Sequence, residues 1–282
     1  MSSQPKILTI VIACDDIART YTTIRSTQQM RYRNHEIICL VPNSSVKILQ
    51  SLKKDFNWLT IICDRNRPFS DLIKVIVEHA RYSFIEAIFF IQAGASLERD
   101  LLNRLVLQFN QNQHSDLFFP AIIRPDEKGI VYGGVKVGPW PHQIKTVTDR
   151  TELIVDVEKL HFLGPSCLIR TKACFKHTIN NNDDELALFY WVEKMVSVGV
   201  NSLVTLDIAI FFDGVIYSDL SDTMIVPNSW YRDLERYIST YGTWYDKLVF
   251  WLRYRWRREG SIVARVIDGW WQSQTVYKTP EE

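Results

Sequence analysis

Short apolar runs alternate with amphipathic segments from Ile7 to Asn110. The runs are rich in β-branched residues, which is typical of strands that are buried on both faces of a sheet. The segments between them are polar, or they carry apolar residues at helical spacing, as around Ile73 and Ile76. This order predicts a mainly parallel sheet with right-handed crossovers. We predict strands at Ile7–Cys14, Glu36–Val41, Leu59–Cys63 and Ala87–Ile91, and helical segments at Asp15–Arg31, Ser45–Asp55, Ser70–Ala80 and Leu97–Asn110.

After Asn110 the pattern changes, and short apolar stretches lie among glycines and prolines. Stretches of this kind favour antiparallel pairing, so we predict an antiparallel element at the edge of the sheet. The predicted fold class is therefore α/β, with one domain at residues 1–228 and a helical C-terminal extension, rich in aromatic and basic residues, at 229–282. The later predicted elements are strands at Leu117–Ile123, Gly129–Val137 and Leu168–Arg170, a helix at Leu186–Val198 that ends at Gly199, and a strand at Ser202–Phe211.

Composition narrows the functional classes without selecting one. Of the 282 residues, 46% are apolar and 23% are charged, which is ordinary for a soluble globular protein. The net charge of +1 provides no global attraction for nucleic acid, so we expect no nucleic-acid partner. No segment approaches the ~20 apolar residues that span a bilayer, and Met1–Lys6 lacks a signal-peptide pattern, so we expect a cytoplasmic protein. The five cysteines lie in apolar runs without a CxxC pair, which predicts buried thiols in a reducing compartment.

Seven segments occur in an order that resembles one enzyme family. ILTIVIACDD, EIICLVPNSS, DRNRPFSDLIKV and AIFFIQAGASLERDLL contain the four successive transitions from strand to helix. PDEKGIVYGG, FLGPSCLIRTKACF and DDELALFYWVEKMVSVGV follow as a hairpin, a strand with a turn, and an acidic helix. Together they resemble inverting family-2 glycosyltransferases of the GT-A fold, especially the rhamnosyltransferase-like branch, over residues 7 to 214.

The resemblance implies transfer of a sugar from a nucleotide-diphosphate donor to a glycan, lipid or protein acceptor. Members of the family hold Mg²⁺ or Mn²⁺ through an Asp-x-Asp motif after the fourth strand, because hard cations prefer carboxylate oxygens. This chain has QAGA at 92–95 in that place. It also has VPNS at 41–44 where the family has an acidic pair. We therefore predict a donor site without a metal cofactor.

The resemblance places the donor-binding residues at the ends of the first four predicted strands. Gln92 and Gly94 would hydrogen-bond the ribose or the phosphates, unless the turn that holds them is a decayed site. Arg65 and Arg67 would neutralise the diphosphate, unless they form a solvated surface pair. Asp15 and Asp16 would contact the nucleoside, although an aspartate after a strand equally suits capping of the next helix. The predicted donor-binding residues are Ala13, Asp15, Asp16, Asn43, Arg65, Arg67, Gln92 and Gly94.

An acidic cluster, Asp183–Glu185, precedes the predicted helix at 186–198. In the family, an acidic residue at this helix start deprotonates the acceptor, so the resemblance implies Asp184 or Glu185 as the general base. The helix dipole alone would also favour carboxylates there. A histidine often follows the late strand in relatives, whereas here Asp213 is either a substitute metal ligand or a turn former.

Three functional classes stay open: an active transferase, a catalytically inactive GT-A module that binds a nucleotide, glycan or protein partner, and a structural interaction protein. The segment Trp244–Arg258 adds one expectation, because its apolar and basic residues lie on opposite faces of a helix. Such a helix suits peripheral contact with a membrane, which would place the protein at the inner face and near a lipid-linked acceptor. Packing of the apolar face on the protein's own core is the alternative.

Overall fold

Within the residues that the structure describes, a mixed sheet of eight strands forms the centre and a second sheet has three strands. The computed structural model describes residues 4–64, 66–123, 135–137, 144–146, 160–161, 166–179, 188, 191–192, 194–195 and 198–212. The strands are β1 Ile7–Ile12, β2 His35–Leu40, β3 Thr60–Ile62, β4 Ala87–Gln92, β5 Ala95–Ser96, β6 Leu117–Ile123, β7 Val135–Val137, β8 Ile144–Thr146, β9 Leu160–His161, β10 Ser166–Arg170 and β11 Ser202–Phe212. The large sheet has the order β3-β2-β1-β4-β10-β6-β11-β5, and the small sheet has the order β8-β7-β9.

The first four strands pair as the sequence predicts. β1 pairs in parallel with β2 and with β4, so that Ile7 lies opposite both His35 and Ala87, and β2 pairs in parallel with β3. β6 and β11 are also parallel, whereas β5 is antiparallel to β11 at the edge of the sheet. Helices flank this mainly parallel sheet, so the predicted α/β class with an antiparallel edge element is confirmed.

The position of one strand differs from the prediction. The segment predicted at Leu168–Arg170 as an addition to the edge is β10, which lies inside the sheet and is antiparallel to both β4 and β6. Its residues Ser166–Ile169 are buried, as an interior strand requires when both faces are covered. Local composition does not reveal this position, because a strand is interior only through its neighbours on both sides.

The helices lie close to their predicted bounds. The described helical residues between 188 and 195 are followed by Gly199, whose φ of +85° marks the predicted end of that helix. None of the described helices is long and apolar enough to span a membrane. The helices are α1 Ile17–Gln28, a 3-10 helix at Asn43–Ile48, α2 Leu49–Asp55, α3 Phe69–Tyr82, α4 Leu101–Gln111 and α5 Thr171–Lys176.

Two apolar clusters pack against the large sheet. Leu8, Ile10 and Ile12 of β1 belong to the larger cluster, together with the apolar faces of α3 and α4. Val11 and Ala13 belong to the smaller cluster, together with apolar residues of α1 and α2. The alternation follows from the two-residue period of a strand. β1 is thus buried on both sides.

The five cysteines form no disulfide bonds with one another, as the sequence predicts. Cys39, Cys167 and Cys174 are buried, and Cys14 and Cys63 are partly buried. Burial, with a smaller contribution from the neighbouring Cys63, raises the pKa of the Cys39 thiol to about 12. The Cys39 thiol therefore stays protonated at neutral pH and packs as a small apolar group.

Arg170, at the end of β10, ties α4 to the sheet. Its guanidinium carbon lies 3.6 Å from the centroid of the Phe109 ring, and it donates hydrogen bonds to the carbonyls of Ser115 (2.7 Å) and Asn112 (3.2 Å). Burial lowers the pKa of Arg170, and the nearby Asp116 carboxylate opposes this shift. The last carbonyls of a helix have no partner within the helix, and Arg170 also donates a hydrogen bond to one of them, the Phe109 carbonyl in the last turn of α4.

The described residues belong to one compact unit. The predicted extension at 229–282, its boundary at residue 228 and the amphipathic segment Trp244–Arg258 lie outside the described residues. They therefore stay predictions, as does the cytoplasmic location.

Candidate functional site

The carboxyl ends of β1, β2, β3 and β4 lie at one edge of the sheet, because these strands run in the same direction. Pairing continues just beyond the strands: the Ala13 N–H donates to the Leu40 carbonyl (2.9 Å) and the Ala93 N–H donates to the Ile12 carbonyl (2.8 Å). β2 lies on one side of β1 and β4 lies on the other, so the strand order reverses at β1. In open α/β sheets, ligands bind at such a switch point.

Asp15 and Asp16 follow β1 and have different partners. Asp16 is the N-cap of α1, and its Oδ1 accepts hydrogen bonds from the N–H groups of Ala18 (2.9 Å) and Arg19 (3.2 Å). Asp16 therefore caps helix α1, which is the alternative that the sequence left open beside a contact with the nucleoside. Asp15 Oδ2 instead lies 3.2 Å from the Nζ of Lys47 in the 3-10 helix. This ion pair joins the loops that follow β1 and β2.

The turn after β4 contains residues 92–95, which the sequence resemblance aligns with the metal motif of family-2 glycosyltransferases. Gln92 ends β4, and Gly94 has a φ of +101°, a left-handed conformation that glycine adopts without strain. The Gly94 N–H donates to Thr23 Oγ1 (3.0 Å), so we expect Gly94 to meet a ligand through its carbonyl oxygen. Among the described residues, the half-buried amide of Gln92 has no side-chain hydrogen-bond partner. It can therefore both donate to and accept from a ligand.

Two threonines of α1, which the sequence interpretation did not single out, hold the loops around this turn. Thr23 Oγ1 accepts from Gly94 and donates to the Ala95 carbonyl (2.8 Å). Thr20 Oγ1 accepts from the N–H of Cys14 in the loop after β1 (3.3 Å). Both threonines are fully buried. The sequence carries a signal for them, since Thr20, Thr23 and Thr27 recur at helical spacing and place hydroxyl groups on one face.

The residues of this turn do not fit Mg²⁺ or Mn²⁺. Positions 92–95 contain no carboxylate, and the next two acidic residues are engaged elsewhere. Glu98 lies 3.2 Å from Arg104, and Asp100 lies 3.3 Å from Arg31. In the part of the chain that the structure describes, no three His, Cys, Asp or Glu side chains converge to hold a metal. A hard cation requires such oxygen ligands.

The loops after β2 and β3 contain the remaining predicted donor contacts. Asn43 begins the 3-10 helix, but its side chain and the whole of Arg65 lie outside the described residues. Arg67 Nε lies 3.2 Å from Asp64 Oδ2, and the Asn66 N–H donates to the same carboxylate (3.0 Å). Asp64, which the sequence interpretation also missed, therefore organises the loop after β3. An aspartate directly after a strand is the signal that it shares with Asp15.

The predicted general base, Asp184 or Glu185, lies outside the described residues, and so does Asp213. The described residues before and after the acidic segment contact each other. Trp191 Nε1 donates a hydrogen bond to the carbonyl of His177, which directly follows α5. The catalytic roles of Asp184 and Glu185 stay predictions.

A mainly parallel, helix-flanked sheet with a polar carboxyl edge defines a GT-A-like fold, the fold of nucleotide-sugar glycosyltransferases. Residues 1–349 of S. aureus TarS, solved in complex with UDP-GlcNAc, are similar, with a TM-score of 0.53 and 14% identity over 83% of this chain and 66% of that chain. The same TarS fragment without that ligand has a TM-score of 0.53 and 15% identity, and this chain covers only 64% of it.

A second similar structure is that of the mannosyltransferase PcManGT from Pyrobaculum calidifontis, in complex with GDP-Man and Mn²⁺. Its TM-score is 0.53 and its identity is 12%, over 98% of this chain and 82% of that chain. No protein-family model matches the chain, and no curated protein matches it in sequence. At these identities the similarity establishes the fold.

Proposed function

We propose that the protein is a glycosyltransferase that moves a sugar from a nucleotide-diphosphate donor to a glycan, lipid or protein acceptor without a bound divalent metal. One observation carries the proposal: the carboxyl ends of four parallel strands lie at one edge of the sheet, and the strand order reverses at β1. Gln92 lies opposite Ile12 at this point, with the Asp15 loop directly beyond. TarS and PcManGT, which share the fold, were solved with UDP-GlcNAc and GDP-Man, and both ligands are nucleotide-diphosphate sugars.

In this proposal the donor lies across the ends of β1, β2 and β4. Asp15 and Asn43 contact the nucleoside, and Ala13, whose side chain is buried in the smaller apolar cluster, meets it through its backbone. The Gln92 amide and the Gly94 carbonyl meet the ribose or the phosphates, because both flank the turn that ends β4. Capping of α1 by Asp16 then serves the site indirectly, by fixing where the helix begins.

The departing diphosphate carries negative charge that the protein has to stabilise. PcManGT was solved with Mn²⁺, whereas this chain has no carboxylate at 92–95 to hold such an ion. We infer that Arg65 and Arg67 supply positive charge instead, since a guanidinium matches phosphate oxygens in a bidentate way. Arg67 would exchange its contact with Asp64 for one with a phosphate.

For the chemical step we propose Asp184 or Glu185 as the general base. The carboxylate takes the proton of the acceptor hydroxyl while the hydroxyl oxygen attacks the anomeric carbon. The bond from that carbon to the diphosphate breaks, and the nucleotide diphosphate leaves. Attack from the face opposite the leaving group would invert the anomeric centre, as the resemblance to inverting enzymes implies.

A second candidate function is a catalytically inactive GT-A module that binds a nucleotide, glycan or protein partner. The observation that favours it is that the charged groups at the carboxyl edge of the sheet pair with one another. Asp15 pairs with Lys47, and Arg67 pairs with Asp64. A site that has lost its ligand could retain these pairs for local stability.

Thermal unfolding with UDP, GDP, UDP-GlcNAc and GDP-Man, each in EDTA and in Mn²⁺, tests the donor site. A ligand at one hundred times its Kd adds about 2.7 kcal/mol of stability, so a true donor should raise the melting temperature in EDTA. A rise that requires Mn²⁺ would reject metal independence. No rise with any nucleotide would reject the donor site and favour a structural interaction protein.

Release of free nucleotide diphosphate from a stabilising donor then separates the two candidate functions. An active transferase hydrolyses its donor slowly even without an acceptor, since water can replace the acceptor hydroxyl. Binding without any release over hours would favour the inactive module.

A further inference from the structure

Thr23 links helix α1 to the turn that stands in place of the metal motif. Its hydroxyl is fully buried, accepts the Gly94 N–H at 3.0 Å and donates to the Ala95 carbonyl at 2.8 Å. Neither backbone group can turn to water if this hydroxyl is removed. Buried hydrogen bonds of this kind are therefore costly to break.

Three elements hold the turn. β1 and β11 hold it through their backbones, and α1 holds it through the side chain of Thr23. The Ala93 N–H is bound by the Ile12 carbonyl of β1, and Ala95 pairs with Phe212 of β11. Gly94, between these two anchors, has the widest backbone freedom of any residue type. Its conformation therefore depends on the contact with the Thr23 hydroxyl.

We propose that Thr23 is a positioning residue of the donor site. It fixes the turn so that the Gln92 amide and the Gly94 carbonyl face the ribose and phosphates of the donor. A bound cation would order a carboxylate-bearing turn through its own ligand bonds, whereas the turn at 92–95 has no carboxylate to bind one. The inference rests on the proposed function, since it requires a nucleotide donor.

The test compares nucleotide binding in matched threonine variants. Thr23→Val keeps the β-branched shape but removes the hydroxyl, and it should raise the Kd for UDP or GDP about tenfold, as loss of one buried hydrogen bond implies. Thr23→Ser keeps the hydroxyl and should restore wild-type affinity. Thr9→Val is the control, because Thr9 is also fully buried and its hydroxyl has no hydrogen-bond partner among the described residues. Thr9→Val should leave the Kd unchanged.

The outcomes separate this inference from the proposed function. If the wild-type protein binds neither nucleotide, both are overturned. If it binds one, and a folded Thr23→Val variant binds that nucleotide equally well, the positioning role alone is overturned. Hydrogen exchange of the wild-type protein gives an answer even if Thr23→Val does not fold. The Gly94 amide should exchange slowly without ligand, and rapid exchange would contradict the proposal.

Discussion

At the residue scale, the charged side chains at the carboxyl edge of the sheet pair with one another, and these pairs are weak. Side-chain exposure is 54% for Asp15 and 66% for Lys47, and it is 39% for Asp64 and 56% for Arg67. Exposed ion pairs of this kind contribute about 0–1 kcal/mol each, because water already solvates both charges. They can therefore open to admit an anionic ligand at little energetic cost.

Gly94→Ala should lower the free energy of unfolding by about 1–3 kcal/mol, because a side chain at a φ of +101° forces a conformation that L-residues rarely adopt. Urea denaturation measures the loss. Gly199→Ala is the matched control, since Gly199 also has a positive φ and an added Cβ there meets no atom within 4 Å. Only the Gly94 variant should bind the nucleotide more weakly. Equal weakening in both variants would show that global stability, rather than the turn, governs binding.

A double variant, Asp184→Asn with Glu185→Gln, should lower the rate of glycosyl transfer by at least about a hundredfold, because an amide cannot accept the acceptor proton. Donor affinity and the circular dichroism spectrum should stay those of the wild-type protein. Asp183→Asn provides a control within the same acidic cluster. Full activity of the double variant would remove both residues from the mechanism.

At the scale of elements, α1 differs from α3 and α4 in what its buried face contains. The buried residues of α1 are mainly hydroxyl-bearing, whereas those of α3 and α4 are mainly apolar. Apolar periodicity therefore predicts α3 and α4 well, and it predicts only a polar, helix-permissive segment for α1. The hydroxyl groups of Thr20 and Thr23 bond the loops around the candidate site. Those of Ser26 and Thr27 bond the Thr23 carbonyl within the helix.

The same contrast explains how much of the site could be predicted. Asp15 and Gln92 were predictable, because residues directly after parallel strands meet at one edge. The contact between Thr23 and Gly94 was not, since it joins residues that are 71 positions apart and depends on how α1 packs. The pairing of Asp15 with Lys47 likewise depends on side-chain conformations that no sequence pattern fixes. β10 was predicted as a strand, but its place between β4 and β6 is a property of the whole sheet.

Asp16→Ala should destabilise the protein by about 1 kcal/mol, because two N–H groups of the first turn of α1 lose their acceptor. Asp16→Asn keeps a capping oxygen and should cost only a few tenths of a kcal/mol. Both variants should bind the nucleotide as the wild-type protein does. A large loss of affinity in the folded Asp16→Asn variant would instead assign Asp16 to the nucleoside.

At the scale of the whole molecule, the net charge of +1 cannot direct the protein to an anionic surface. Any membrane contact has to come from a local group of charges. The segment Trp244–Arg258 contains the basic residues Lys247, Arg253, Arg257 and Arg258, and the acidic residues near them are Asp246 and Glu259. Each such basic residue near an anionic leaflet contributes about 1 kcal/mol.

If the segment binds membranes, the full chain should sediment with anionic liposomes at low salt, and a chain that ends before Trp244 should not. Raising the salt concentration should release the full chain, since the attraction is screened. Sedimentation of neither protein would show that the segment serves the fold or another partner.

The interior position of β10 also has a consequence for the order in which the chain folds. β4 ends at Gln92, yet the strand that covers its free edge begins only at Ser166. During synthesis, β4 and β6 therefore emerge from the ribosome long before the strand that joins them. Until then each presents an unpaired edge, the kind of surface on which nascent chains aggregate. Completion of the sheet is a late, long-range event, and we expect it to limit the rate of refolding.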